Sequence, residues 1–181
     1  MSTRYSLPMP YDGEEPFERD RRLFISSLEK DRLFFLQHID KTTDTFTLKE
    51  NHRLSIPWEM RLEQLNEMGT TVYAYLNTEK VINGVAVYMG ERNLWDDLLP
   101  SIIIRYAIKK ICAIWLTEDT PSQGLVQLQE GLKKRYKKSK INELVPMPGF
   151  YAKKYLIKIV HYSGEIFTFR QLTEQFPPKK R

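Results

Sequence analysis

The sequence has few of the residues that build disulfide bonds, metal sites and phosphate-binding loops. Its 181 residues include one cysteine, three histidines and eight glycines. The cysteine, Cys112, has no partner for an intramolecular disulfide bond, and the histidines share no metal-ligand spacing. The glycines form neither a P-loop nor a Gly-x-Gly-x-x-Gly motif, which excludes the standard nucleotide-phosphate loops. We therefore expect no metal, no cofactor and no catalytic residues defined by a motif.

Long apolar runs are also missing. No stretch reaches the roughly 20 apolar residues that cross a bilayer, and residues 1–10 contain no apolar signal segment. Cys112 lies in the apolar run 111–115 and is expected to be a buried, reduced thiol. The sequence thus predicts a protein that has no membrane partner and is made and kept in a cytoplasm.

The overall composition suits one domain of ordinary size. Hydrophobic residues make up 41% of the chain and charged residues 28%, a balance that can bury a core. The 28 lysines and arginines outnumber the 23 acidic residues, which gives a formal net charge of +5. This excess is compatible with a polyanionic partner but does not require one.

The first half of the chain predicts one helix followed by a small sheet. Residues 18–39 carry apolar side chains at near-helical spacing, which predicts an amphipathic helix to at least Lys30. Residues 33–36 suit the start of a strand equally well. Short alternating runs then predict four antiparallel strands, paired as two hairpins: residues 45–48, 53–56, 72–76 and 81–88.

The second half of the chain predicts a two-helix hairpin. Residues 101–116 place apolar side chains along two neighbouring helical seams, so this helix must be covered on most sides. Residues 121–136 form the next helix, with Thr120 as a candidate N-cap and Pro121 as a candidate first residue. The predicted fold class is α+β, with this hairpin packed beside the small antiparallel sheet.

The two ends of the chain are expected to extend from a central domain. Residues 1–16 predict an extended arm that another surface must order, and residues 17–145 a core domain of helix, small sheet and helical hairpin. Residues 146–181 predict a β-hairpin, whose strands 155–162 and 165–169 flank Ser163 and Gly164, followed by a basic tail.

A run of cations at residues 133–140 is the most conspicuous charge feature. It could contact nucleic-acid phosphates, or it could be a solvated helix end whose cations face the terminal carbonyls. Tyr136 also completes the apolar stripe of its helix, so we expect this ring in the core. The candidate nucleic-acid contacts are Lys133, Lys134, Arg135, Lys137, Lys138 and Lys140.

The predicted C-terminal hairpin needs a surface to cover it, because an isolated hairpin is at best marginally stable in water. Its own domain or a neighbouring subunit could supply that surface. The candidate subunit-interface residues are Tyr155, Ile157, Ile159, Phe167 and Phe169.

The order of the predicted elements resembles that of the head-to-tail adaptor, or tail-tube gatekeeper, proteins of short-tailed bacteriophages. In that family an acidic, leucine-rich lead ending in proline introduces the first helix of a hairpin. The residues that carry the likeness are 21–36, 46–48 and 54–56, and above all the segment Leu94-Trp95-Asp96-Asp97-Leu98-Leu99-Pro100 leading into residues 102–115.

This resemblance implies a non-enzymatic structural protein of a phage neck or tail. It would form a ring of roughly twelve copies that joins the portal protein to tail proteins around transiently passing double-stranded DNA. The protein would then be located in the virion, after assembly in the host cytoplasm. The alternatives are a non-enzymatic nucleic-acid-binding protein that uses residues 133–140, and an enzyme whose site is assembled from residues remote in sequence.

Overall fold

The computed structural model describes residues 5–28, 32–37, 43–48, 56–79, 81–94 and 98–178. Its first elements are α1 (Pro16–Ser26), β1 (Arg32–Gln37), β2 (Thr43–Leu48), α2 (Ile56–Glu67), β3 (Thr71–Tyr75), β4 (Gly84–Gly90) and a 3-10 turn (Glu91–Asn93). The remaining elements are β5 (Ile102–Ala107), β6 (Lys110–Thr117), α3 (Ser122–Arg135), β7 (Lys140–Ile141), β8 (Leu144–Pro146), β9 (Tyr151–Ala152), β10 (Tyr155–Leu156), β11 (Lys158–Tyr162), β12 (Ile166–Phe167) and α4 (Phe169–Gln175).

The strands of the described residues form two larger sheets and a short β9–β10 pair. A four-stranded sheet has the order β2-β1-β3-β8, and its paired strands are antiparallel. A six-stranded sheet has the order β11-β5-β6-β4-β7, with β12 added parallel to β6. The α+β class predicted from the sequence is confirmed. None of the described helices has the length and apolar character to span a bilayer.

Strand β6 lies at the centre of the six-stranded sheet and is buried on both of its faces. Cys112 and Ile114 belong to a first core, which also contains α1 and β3 side chains. Ile111 and Trp115 belong to a second core, which α3 and α4 cover. Because successive strand residues point to opposite faces, a strand between two cores is apolar at nearly every position.

This double burial explains why the predicted helix over residues 101–116 is wrong. The segment forms the β5–β6 hairpin, which turns at Ile108 and Lys109. A nearly continuous apolar run satisfies helical and strand spacing alike, and its many β-branched isoleucines favour the strand. The two-helix hairpin is therefore absent from the described residues. Helix α3 packs against β4 and α4 instead, and begins after Pro121, with the Thr120 hydroxyl bonded to Thr117.

The strand pairing in the first half also differs from the prediction. Helix α1 ends at Ser26, and the strand alternative for residues 33–36 is confirmed by β1. Strand β2 pairs with β1, and residues 53–55 of the predicted partner strand lie outside the described residues. Strands β3 and β4 belong to different sheets, and the expected hairpin between them is reduced to one bridge, Asn77 to Ile82.

The predicted C-terminal hairpin is also wrong. Strand β11 pairs with β5 and β12 pairs with β6, and both join the six-stranded sheet. Ile157, Ile159 and Phe167 are buried in the cores of their own domain, whereas Tyr155 and Phe169 are half-buried. The chain itself thus covers most of the proposed subunit-interface residues. The last residues of the predicted basic tail, 179–181, lie outside the described residues.

The N-terminal arm lies against its own domain from Tyr5 onward. Its Ser6 carbonyl accepts a hydrogen bond from the Tyr162 amide at 2.8 Å. Helix α1 is tied to the rest of the fold by buried Arg21, whose guanidinium contacts Glu59 at 2.8 Å and Glu63 at 2.6 Å. The same group donates to the Gly149 carbonyl at 2.7 Å, so α1, α2 and the C-terminal segment are held together.

Candidate nucleic-acid interface

A groove of about 730 Å³ opens between the two sheets, next to the β5–β6 turn. One wall comes from β3 and β8, the other from β4, β5 and the segment after α3. We call it the lysine–tyrosine groove. Its lining residues are Tyr73, Tyr88, Met89, Gly90, Tyr106, Ile108, Lys109, Lys110, Lys138, Ser139, Lys140, Asn142 and Leu144.

The lysines of the groove come from two segments that are distant in sequence. Lys109 and Lys110 lie at the β5–β6 turn, where Lys109 has a positive φ of 57°. Lys138 and Lys140 follow α3, and β7 returns this segment to the sheet by pairing Lys140 with Tyr88 of β4. The fold therefore brings four ammonium groups to one groove.

The tyrosines form an uncharged floor between these lysines. The Tyr88 and Tyr106 rings meet edge to face, with centroids 5.3 Å apart and an angle of 67°. The Tyr88 hydroxyl donates to the Leu144 carbonyl, which fixes this ring. Burial raises the pKa values of Tyr73, Tyr88 and Tyr106, so the phenols stay protonated at neutral pH. The positive charge of the groove is therefore not offset by its floor.

Cys112 lies on the same face of the sheet as Tyr88 and Tyr106 and is fully buried. Burial raises the pKa of its thiol well above the ordinary value. A protonated, inaccessible thiol is neither a nucleophile nor a metal ligand. This position confirms the prediction that Cys112 is a buried, reduced thiol.

The predicted cation run is divided among several surfaces. Lys138 and Lys140 line the lysine–tyrosine groove, and Lys138 also borders an adjacent depression with Arg135 and Lys137. Lys133 lines a third depression, whose lining includes the carboxylates Glu130 and Glu143. Lys134 is exposed on α3 and lines none of these three surfaces. The structure therefore brings Lys138 and Lys140 into the groove and Arg135 and Lys137 into the adjacent depression, and separates Lys133 and Lys134 from both.

The structure adds two cations that the sequence analysis missed and confirms the position of one aromatic residue. Lys109 and Lys110 were assigned to a helix interior, although two adjacent lysines in an apolar run could have signalled a turn. Tyr136 is buried, and its ring stacks on Trp115 at a centroid distance of 6.2 Å. This position confirms the prediction that Tyr136 belongs to the core.

Acidic groups are absent from the described lining of the groove. Over the described ranges as a whole, no three Asp, Glu, His or Cys side chains lie together as a metal site. Glu91 follows β4 directly, but its carboxylate forms an ion pair with Arg105 of β5. The groove therefore presents cations, phenols, the Ser139 hydroxyl and one amide, Asn142, to a ligand.

Sequence comparison matches the chain to no known protein family and to no curated protein. Structure comparison matches it to solved primase domains. The catalytic domain of primase RepB′ in complex with initiator DNA aligns with a TM-score of 0.65 and 16% identity, over 86% of this chain and 95% of that chain. A second structure of primase RepB′ aligns with a TM-score of 0.67 and 16% identity, over 85% of this chain and 60% of that chain.

A third match is the AEP domain of the cyanophage S-2L primase-polymerase. It has a TM-score of 0.58 and 19% identity, and the alignment covers 90% of this chain and all of that chain. At these identities the matches show a shared fold. The fold of this chain is thus similar to that of primase and primase-polymerase catalytic domains.

These matches overturn the resemblance to phage adaptor and gatekeeper proteins. The prediction of a structural virion protein is wrong, as are the connector and tail assignments that followed from it. The expectation of a non-enzymatic protein is overturned as well, because the similar structures are domains of enzymes. No match supports portal or tail partners or a ring.

Polymerases commonly hold two divalent ions roughly 3.5–4 Å apart with carboxylates, and the ions stabilise the attacking and leaving oxygens. The described groove lining contains four lysines and no carboxylate, and no group of three or more Asp, Glu, His or Cys side chains that could hold a metal ion occurs in the described ranges. The described part of the groove does not fit a two-metal centre.

Proposed function

We propose that this chain acts in DNA replication as a primase-type enzyme domain, and that the lysine–tyrosine groove is its strand-binding surface. The observation that carries the proposal is the convergence of four lysines and three tyrosines in one groove of a primase-like fold. The fold likeness supports it, because it extends over nearly all of a primase catalytic domain that was solved with DNA.

The four lysines supply what a phosphate backbone requires. Lys110, Lys138 and Lys140 are exposed, and their ammonium groups can neutralise several phosphates of one strand. Neutralisation releases condensed counterions, so binding weakens as salt rises. Because the charge comes from two distant segments, only the folded groove concentrates it.

The tyrosines favour a single strand over a duplex. Tyr73 and Tyr106 are half-buried, so part of each ring faces the groove. Aromatic side chains beside cations stack unpaired bases with little sequence preference, at about 1–3 kcal/mol per base. Bases inside a duplex are already stacked and do not expose their faces. The substrate class is therefore a single-stranded nucleic acid.

Fluorescence anisotropy with a labelled thymidine oligonucleotide of about 20 nucleotides tests the strand-binding proposal. We expect the variant Lys110→Gln/Lys138→Gln/Lys140→Gln to bind at least about tenfold more weakly. The slope of log binding constant against log salt concentration should become shallower by roughly 2. The matched control Lys134→Gln/Lys153→Gln/Lys154→Gln removes the same charge from exposed positions outside the groove. Equal losses in both variants would mean that net charge, not the groove, binds the strand.

A primer-synthesis assay tests the enzymatic part of the proposal. The protein is incubated with single-stranded template, nucleoside triphosphates and Mg²⁺ or Mn²⁺, and products are resolved on a sequencing gel. We expect short products, and we expect the groove variant to need more template for the same yield, because it impairs binding rather than chemistry. Strand binding without product at any template concentration would contradict the enzymatic part alone.

A further inference from the structure

We infer that the lysine–tyrosine groove captures its strand by direct lysine–phosphate contact, with no divalent metal ion between protein and phosphate. This inference rests on the proposed function, since it concerns how the same groove holds its strand. It differs from the two-metal arrangement that polymerases commonly use at the reacting phosphate, where bound ions stabilise the attacking and leaving oxygens.

The charge of the groove opposes metal binding. Its described lining holds four lysines and no carboxylate, so a divalent cation would enter a field of like charge. Mg²⁺ sites in proteins require oxygen ligands, usually one or two carboxylates. The same four ammonium groups supply the positive charge that a metal ion would otherwise bring to a phosphate.

The floor of the groove does not provide ligands either. The Tyr88 hydroxyl is engaged with the Leu144 carbonyl. Cys112 is fully buried beneath the floor as a neutral thiol. A metal ion bound at either group would displace a proton from a side chain whose pKa is raised by burial.

Two carboxylates that adjoin the groove lining in sequence have other positions or partners. Glu91, which follows β4, is paired with Arg105. Glu143 is exposed and lines the depression shared with Lys133, not the lysine–tyrosine groove. The described groove therefore serves the strand rather than a metal ion.

Two measurements on the full chain test the inference. Anisotropy titrations with the thymidine oligonucleotide are carried out in EDTA and in Mg²⁺ at matched ionic strength. We expect the two dissociation constants to agree within about twofold, and the groove variant to lose affinity equally in both buffers. Electron paramagnetic resonance of Mn²⁺ with the protein alone is expected to show the signal of the free ion.

The outcomes separate this inference from the proposed function. Binding that is at least tenfold weaker in EDTA, or stoichiometric loss of the free Mn²⁺ signal with the wild-type protein, would overturn the metal-free contact and leave strand binding intact. Absence of oligonucleotide binding in both buffers would overturn the proposed function together with the inference. Equal binding in both buffers with a free Mn²⁺ signal supports the metal-free contact and the strand-binding part of the proposed function.

Discussion

His161 fastens the N-terminal arm to the edge of the six-stranded sheet. Its Nδ1 atom accepts a hydrogen bond from the Ser6 amide at 3.1 Å, and the Tyr5 ring lies 5.8 Å from the imidazole. The side chain is 4% exposed, and burial lowers its pKa from the ordinary value of 6.5. An Nδ1 atom that accepts a hydrogen bond requires the neutral ring. The hydrogen bond that holds the N-terminal arm to the sheet therefore forms only while His161 is deprotonated.

This dependence predicts a loss of stability at acidic pH. The folded-state pKa lies below that of the unfolded chain, so the unfolded state binds the proton more readily. The contribution of neutral His161 is complete above about pH 6.5 and is lost as pH falls through the folded-state pKa. Between pH 7.5 and pH 5, we expect the melting temperature to fall by about 2–4 °C more in the wild type than in His161→Asn. Equal falls in the two proteins would show that His161 contributes nothing to the pH dependence.

At the scale of single residues, the burial of a side chain was easier to predict than the residues that lie beside it in the folded groove. Cys112 and Tyr136 were assigned to the core because apolar neighbours bury them in a helix or a strand alike. Lys138 and Lys140 were found as part of a charge run. Their groove partner Lys109 was not, because its position follows from a turn between two strands and not from local spacing.

Among the elements, α3 and α4 form a contact that depends on a glycine. A Cβ atom at Gly131 would lie 2.0 Å from the carbonyl oxygen of Phe176, at the end of α4. Phe176 is 1% exposed and packs its ring against Trp115 and Tyr136. The backbone of α4 therefore approaches α3 too closely for any side chain at this position.

Replacement of Gly131 by alanine tests this close approach. Helix propensity alone favours alanine by about 1 kcal/mol, whereas overpacking against backbone costs about 1–3 kcal/mol. We expect the free energy of unfolding in urea to fall by up to about 2 kcal/mol, because the clash is with backbone and not with a flexible side chain. Gln127→Ala on the exposed face of α3 serves as the control and should change stability by less than about 0.5 kcal/mol. A stabilised Gly131→Ala protein would show that α4 is free to move away.

The sequence predicted the α+β class and most strand-forming segments, but it misassigned the centre of the sheet. In residues 102–107 and 110–117 nearly every position is apolar, so helical and alternating spacing fit equally well. What decided the outcome was the β-branched composition and the two-sided burial, and the second of these depends on elements remote in sequence. The short helix α4 begins at a Thr168–Gln171 capping box that the sequence analysis did not use.

For the whole molecule, the decisive pairings are non-local. Strand β6 contacts β4, β5 and β12, and β11 reaches back to β5 across more than fifty residues. Such contacts leave little trace in neighbouring sequence. The likeness to primase domains, at 16–19% identity, accordingly became visible only in three dimensions. The same pairings create the lysine–tyrosine groove, so neither the fold family nor the site could be inferred from local patterns.

Because β6 belongs to both cores, the two cores should unfold together. Cys112 points into the first core and Trp115 into the second, and both side chains are fully buried. In a variant with Trp58 and Trp95 replaced by Phe, tryptophan fluorescence reports the second core. Pulsed thiol labelling of Cys112, which requires exposure of the sulfur, reports the first. We expect the two urea transitions to coincide, as in a single cooperative unit. Labelling of Cys112 at lower urea than the fluorescence change would mean that the α1 side of the sheet opens while the α3–α4 side stays folded.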